Sequence, residues 1–225
     1  MPRIIVFDVN ETLLDLSALD PHFERLFGDA AVRKQWFGQV LRSSLVATIT
    51  DTYHDFGVIA GDALAMMAMS HHVTLSEEDR AAVIKGVRSL PAHEDVPDSL
   101  ERLKAAGLRV VALTNSPPHV LKDQLTNSGL IDYFEQTLSV DATRKFKPAK
   151  EVYLHAAKSL GVAPGELRMV AAHDWDIAGA MRAELAGAFV ARPGMVMGPL
   201  QEPPDIIGSD MREVVAQIIE KELGG

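Results

Sequence analysis

Residues 3–15 read Arg3-Ile4-Ile5-Val6-Phe7-Asp8-Val9-Asn10-Glu11-Thr12-Leu13-Leu14-Asp15. The opening is a short apolar run rich in β-branched residues, which predicts a strand, and an aspartate follows it directly. Such an aspartate sits at the carboxyl edge of a sheet, where open α/β sheets bind their ligands. Taken alone, Asp8 also reads as a loop carboxylate that caps the next segment.

Four more runs of the same kind follow, at residues 108–113, 136–139, 168–172 and 188–191. Helical patterns at 118–128, 150–160 and 177–186 separate them, and Gly107, Gly129, Gly161 and Gly187 each follow a helical stretch, where a left-handed turn favours glycine. The alternation predicts an α/β fold, a parallel sheet covered by helices. Residues 16–90 break it. They show only helical periodicity, with Leu41, Leu45 and Ile49 four apart and Leu64 and Ala68 likewise. A helical cap of residues 16–90 is therefore expected, inserted into a core of residues 1–15 and 91–225. Pro203-Pro204 mark a loop before a last helix at 210–223.

Composition narrows the function. The chain has 225 residues, with 22 Lys and Arg against 31 Asp and Glu, a formal net charge of −9. That balance argues against nucleic acid, whose phosphates are bound by concentrated basic side chains. The 47% hydrophobic and 24% charged content is that of a soluble globular protein rather than a disordered one. No apolar run reaches the roughly 18 residues of a membrane span. The first residues lack the apolar stretch of a secretory signal, so a cytoplasmic location is expected. There is no cysteine, which excludes disulfides, thiolate catalysis and cysteine-bound metal.

Three further elements carry polar groups at predicted strand ends. Leu113-Thr114-Asn115-Ser116-Pro117-Pro118 places hydroxyl and amide groups before a helix start, suited to a small anion and equally to an ordinary cap. Lys145-Phe146-Lys147-Pro148 opens the helix that carries Tyr153. A lysine beside a buried carboxylate lowers its pKa and keeps it nucleophilic, although a lone lysine is by default a surface residue. Val170-Ala171-Ala172-His173-Asp174-Trp175-Asp176 runs a strand into acids, a histidine and a tryptophan at a helix start. Each has a structural alternative; their shared position at strand ends makes coincidence a poor account.

In this order the four elements resemble the four motifs of the haloacid dehalogenase (HAD) superfamily, with its aspartate nucleophile, Ser/Thr, Lys and acidic loop. Within it the chain is similar to the L-2-haloacid dehalogenases, also called type II. The likeness extends to Glu94-Asp95-Val96-Pro97-Asp98-Ser99-Leu100, Leu138-Ser139-Val140-Asp141 and Gly179-Ala180. It implies a Rossmann-like core with a helical cap, a homodimer, and hydrolysis of small 2-haloacids to 2-hydroxy acids without a metal or other cofactor. Asp8 would attack the carbon bearing the halogen to form an ester, which water then cleaves. Lys147 would keep Asp8 ionised, and Thr12 and Asp176 would position or activate the water. Thr114, with the backbone N–H groups of Val9 and Asn10, would bind the substrate carboxylate, and Asn115 would face the halide. Tyr153 lies on the helix behind Lys147; Leu41, Phe56 and Trp175 match pocket positions that exclude solvent.

The chain departs from the family at defined places. Alignment on Trp36 and Asp62-Ala63-Leu64 sets Phe37 where the family carries a halide-stabilising arginine, and Arg42 lies five residues later. The aromatic residue two after the nucleophile is Asn10, and the family's serine and asparagine before the Trp-Asp pair are Ala171 and His173. A protonated His173 would supply the missing charge; a neutral one would help deprotonate water.

Two rival functions follow from the same fold. A magnesium-dependent phosphatase would use a second acid two residues after Asp8, yet Asn10 cannot donate a proton near neutral pH. The acid that this pattern expects four residues before Asp176 is Ala172, with Asp174 displaced by two positions. A binding protein that has lost catalysis is the other rival. Elsewhere, His71-His72 reads as a solvated or capping pair, Met66, Met67 and Met69 as core fillers, His119 as a helix-surface residue and Ser76 as an N-cap.

Overall fold

A computed structural model describes residues 1–224. Six parallel strands form one sheet: β1 (Ile4–Phe7), β2 (Val110–Thr114), β3 (Gln136–Ser139), β4 (Leu167–Ala171), β5 (Ala186–Val190) and β6 (Ile206–Gly208). Their order is β3-β2-β1-β4-β5-β6. Every residue of β1, β2 and β4 is buried, as expected of central strands covered on both faces. The order reverses between β1 and β4, and ligands bind at such a switch point. Phe7 pairs with Ala112 on one side and Val170 on the other, so Asp8, Thr114 and Ala172 emerge at one edge.

Nine α-helices accompany the sheet among the described residues. Between β1 and β2 lie α1 (Asp20–Phe27), α2 (Val32–Ile49), α3 (Phe56–Ser70), α4 (Glu77–Val87) and α5 (Val96–Ala105). Helices α1 to α4 pack on one another, while α5 packs on α9 (Met211–Leu223) and the sheet. The remaining connections are α6 (Pro118–Asn127), α7 (Lys150–Leu160) and α8 (Asp174–Arg182). Asp55 caps α3 and Ser76 caps α4, the latter as its sequence predicts. No helix among the described residues is long and apolar enough to cross a membrane.

Several expectations need correction. Helix α8 starts at Asp174, three residues before the predicted start, because Asp174 accepts the Trp175 N–H and two acids complement the helix dipole. Gly187 does not end a helix; Glu184 takes the left-handed turn at φ 73°, and Gly187 lies in β5. A Cβ there would come within 2.8 Å of Pro204 and 3.0 Å of Ile177, so close packing explains the glycine. Strand β6 escapes prediction because it is three residues long and follows a proline pair.

The apolar stripe predicted along residues 41–49 also differs. Helix α2 buries Val32, Trp36, Phe37 and Val40, whereas Leu45 and Ile49 face solvent and Leu41 is half-buried. Met66 and Met69 are exposed on α3, and only Met67 packs against the core. His71, His72 and His119 are exposed, in line with their reading.

Candidate active site

Asp8 stands where β1 ends, buried to 5% exposure. Its Oδ1 accepts from Lys147 Nζ at 2.8 Å and its Oδ2 from Thr12 Oγ1 at 2.7 Å. Thr12 Oγ1 in turn accepts from the Ala172 N–H at 2.9 Å, which ties the β1 loop to the end of β4. Lys147 spends its other two donors on Asp176 Oδ2 at 2.7 Å and the Leu113 carbonyl at 2.9 Å. Tyr153 donates to Asp176 Oδ1 at 2.6 Å. One ammonium thus sits between two buried carboxylates, with every charged atom paired.

Charge follows this geometry. Burial alone would raise the Asp8 carboxyl, but the Lys147 ammonium and the His173 ring outweigh it and hold Asp8 well below the usual carboxylate range. Asp176 moves the other way: burial and repulsion from Asp8 raise it despite Lys147. Burial pulls Lys147 down, yet the two carboxylates raise it overall, and burial with the nearby Asp176 pushes the Tyr153 phenol up. Asp8 is therefore an anion throughout the neutral range.

Nine of the residues singled out in the sequence meet around one small cavity: Asp8, Asn10, Phe37, Leu41, Phe56, Thr114, Asn115, His173 and Trp175. Thr12, Lys147, Tyr153 and Asp176 lie beneath its floor, and Val9 is buried in the core without lining it. Asn115 Oδ1 accepts the Lys147 backbone N–H at 3.0 Å, and Thr114 Oγ1 accepts that of Ser116 at 3.1 Å. Asn10 bonds to Gln124 Nε2 at 2.9 Å and donates to Ser116 Oγ at 3.3 Å, so an amide fixed by neighbours occupies the position of a phosphatase acid. Asp174 caps α8.

Phe37 lines the small cavity and both larger clefts beside it, one mostly apolar beneath α3 and α4, the other carrying the charged side chains Glu11, Arg33 and Arg192. Arg42 is exposed, bonds to Gln39 on its own helix and does not line the cavity. On α2 the buried Arg33 lies 3.7 Å from Glu11 and is paired with Asp20. His173 is 6% exposed and stacks on Trp175, ring centroids 4.8 Å apart. Its Nε2 bonds Glu11 Oε2 at 3.0 Å; its Nδ1 lies 3.3 Å from Asp8 Oδ2 without forming an aligned hydrogen bond.

Sequence reasoning passed over Glu11, Arg33, Asp95 and Arg192. Arg192 donates to both Asp95 oxygens at 2.7 and 2.8 Å and to the Thr12 carbonyl at 2.9 Å, clamping the loop that carries Asp8. Glu11 adopts φ 62°, the left-handed region that non-glycine residues seldom occupy. Its place three residues after a candidate nucleophile was the available signal; the partners come from distant segments and leave no spacing to read.

The family profile described as hydrolase, haloacid dehalogenase-like hydrolase, matches residues 2–184. (S)-2-haloacid dehalogenase 4A of Burkholderia cepacia is 31% identical over 180 residues, 79% of this chain and 78% of its own. An (S)-2-haloacid dehalogenase of Pseudomonas sp. (strain YL) is 27% identical over 213 residues, covering 94% and 92%. Among solved structures, the L-2-haloacid dehalogenase of Xanthobacter autotrophicus with covalently bound chloropropionic acid superposes with a TM-score of 0.90 at 25% identity, over 97% of this chain and 98% of that one.

Proposed function

The chain belongs to the haloacid dehalogenase-like hydrolases and groups there with the (S)-2-haloacid dehalogenases, and from this premise we propose that it hydrolyses small 2-haloacids to 2-hydroxy acids through an ester on Asp8. The observation that carries the reading is the anionic Asp8, fixed by Lys147 and Thr12, at the floor of a small cavity walled by Phe37, Leu41 and Phe56. An anion held dry beside apolar walls is a competent nucleophile toward a carbon bearing halogen.

Asp8 attacks that carbon from the side opposite the halogen, the C–X electron pair leaves with the halide, and configuration inverts. Thr114 and Asn115 receive the substrate carboxylate and the departing halide. Halide needs no proton on departure, so the amide at Asn10 costs this reaction nothing, whereas phosphate ester hydrolysis would lack its acid. Water then attacks the carboxyl carbon of Asp8 and frees the hydroxy acid. Metal independence follows from the same chemistry, since Lys147 already supplies the positive charge between Asp8 and Asp176.

The test is halide release from chloroacetate, fluoroacetate and both enantiomers of 2-chloropropionate in EDTA, with Asp8→Asn as control. Release by the wild type that disappears in the variant is the expected result. Absence of release from every substrate, with magnesium-dependent phosphate release in its place, would overturn the reading.

A further inference from the structure

The ester on Asp8 must be cleaved by a water whose proton has to go somewhere. Asp176 is poorly placed to take it in this arrangement. Its two oxygens are engaged by Lys147 and Tyr153, it is wholly buried, and it does not line the cavity. Thr12 is committed on both sides, donating to Asp8 and accepting from Ala172. Apart from Asp8, the titratable side chain on the cavity wall is His173. One ring nitrogen is held by Glu11; the other, buried and without a hydrogen-bond partner, faces the nucleophile at 3.3 Å.

A nucleophile, a base within reach of it and a third group that orients the base make up a catalytic triad, whatever fold carries them. The geometry points to an Asp8–His173–Glu11 triad in which His173 Nδ1 accepts the proton of the ester-cleaving water and Glu11 is the residue that positions the ring. The inference rests on the dehalogenase reading above. Glu11 fixes the tautomer: its carboxylate accepts the Nε2–H, which leaves Nδ1 toward the cavity. Trp175, stacked on one face of the ring, restricts rotation. Glu11 holds the ring from a left-handed backbone that non-glycine residues seldom occupy, as strained positions at functional sites often do.

Protons and electrons balance over the cycle. In the resting site His173 faces two carboxylates, Asp8 and Glu11, from the β1 loop; Arg33 reaches Glu11 from α2, and Lys147 reaches Asp8 from the loop before α7. Burial pulls the ring down, but the two carboxylates outweigh it and raise it to about 9, so the ring starts as a cation. It supplies there the positive charge absent from Phe37. Ester formation removes the Asp8 charge, and the ring proton leaves with the halide through the cleft that His173, Glu11 and Arg33 line. The neutral ring then takes a proton from water as the hydroxide oxygen bonds to the Asp8 carboxyl carbon. The bond from that carbon to the alkyl oxygen breaks, and the alkoxide collects the proton from Nδ1. Asp8 is regenerated as the acid and returns its proton to His173, restoring the starting state.

The experiment is a burst and intact-mass measurement on wild type, His173→Gln, Glu11→Gln and Glu11→Asp, using the 2-chloropropionate enantiomer that the wild type turns over. Both neutral variants should release close to one halide per site and then stall, with the ester mass on the Asp8 peptide. Turnover should fall by about 100-fold or more in His173→Gln, the usual range for loss of a general base. Glu11→Gln should stall less completely and displace the pH profile of kcat, and Glu11→Asp should recover part of both. The burst itself shows that the variants are folded. Steady turnover in His173→Gln within about threefold of wild type, or a halide burst that leaves no ester on Asp8, overturns the triad. An unchanged pH profile in Glu11→Gln overturns the positioning role. A wild type that releases no halide from any 2-haloacid overturns the dehalogenase reading instead, and is distinguished because it fails before any variant is made.

Discussion

His173 Nδ1 lies 3.3 Å from Asp8 Oδ2, close enough for the charge of each group to govern the protonation of the other. The ring is held in that place by Glu11 and Trp175, and the carboxylate by Lys147 and Thr12. Nucleophile and histidine come from loops at the ends of β1 and β4, the two strands that flank the switch point of the sheet.

This pair makes stability depend on pH on the alkaline side. His173 binds its proton more tightly folded, at about 9, than unfolded, at the ordinary 6.5. Its contribution is complete below about 6.5 and disappears as pH rises through about 9. The stability difference between wild type and His173→Gln should narrow over that interval, by an amount on the order of 3 kcal/mol. Urea unfolding at pH 6, 7.5 and 9 measures it, and a difference that stays constant would contradict the assignment.

Lys147→Met should be among the most damaging single changes. It leaves Asp8 and Asp176 buried and facing each other without the ammonium that both contact. Breaking a buried pair in this way costs about 3–5 kcal/mol. Denaturant titration at neutral pH should show the loss, and lowering the pH toward 5 should recover part of it as one carboxylate takes up a proton.

Gly179 on α8 packs closely against Pro148 and against Tyr153 of α7. A Cβ there would lie 2.5 Å from Pro148 Cβ, 2.7 Å from its carbonyl oxygen and 2.8 Å from the Tyr153 hydroxyl. Gly179→Ala therefore has to push α8 away and disturb the Tyr153–Asp176 bond. A loss of about 1–3 kcal/mol is expected, with lower activity. A thermal melt together with a halide-release assay reads both, and an unchanged variant would show that the two helices are not held in this register.

Helix α2 offers a paired test of which face is buried. Trp36 is 1% exposed and donates to the Ala60 carbonyl on α3 at 2.9 Å, whereas Ile49 is 80% exposed. Trp36→Ala should cost about 3–5 kcal/mol. Ile49→Ala should stay within about 0.5 kcal/mol. Chemical unfolding of the two variants side by side decides it.

Much of this was legible because the core strands are short, continuous and apolar, and Asp8, Thr114 and His173 stand at or just past the ends of three of them. Asp8 after Phe7 and His173 after Ala172 needed only that rule. The helices between β1 and β2 were harder to orient: Leu41, Leu45 and Ile49 have helical spacing, but spacing does not say which stripe the core takes, and Trp36 with Val40 takes it. Gly187 misled because glycine serves both left-handed turns and close packing. Glu11 and Arg33 were invisible as partners, since a φ of 62° and a contact between a strand-end loop and α2 are properties of the folded chain.

The central claim is that Asp8 carries the substrate as an ester. A single turnover in H₂¹⁸O, with enzyme in excess over 2-chloropropionate, tests it most directly. The account predicts ¹⁸O in the carboxylate of the Asp8 peptide and ordinary oxygen in the hydroxyl of the product. Label in the product hydroxyl, with none on Asp8, would mean that water attacks the substrate directly and would contradict the account.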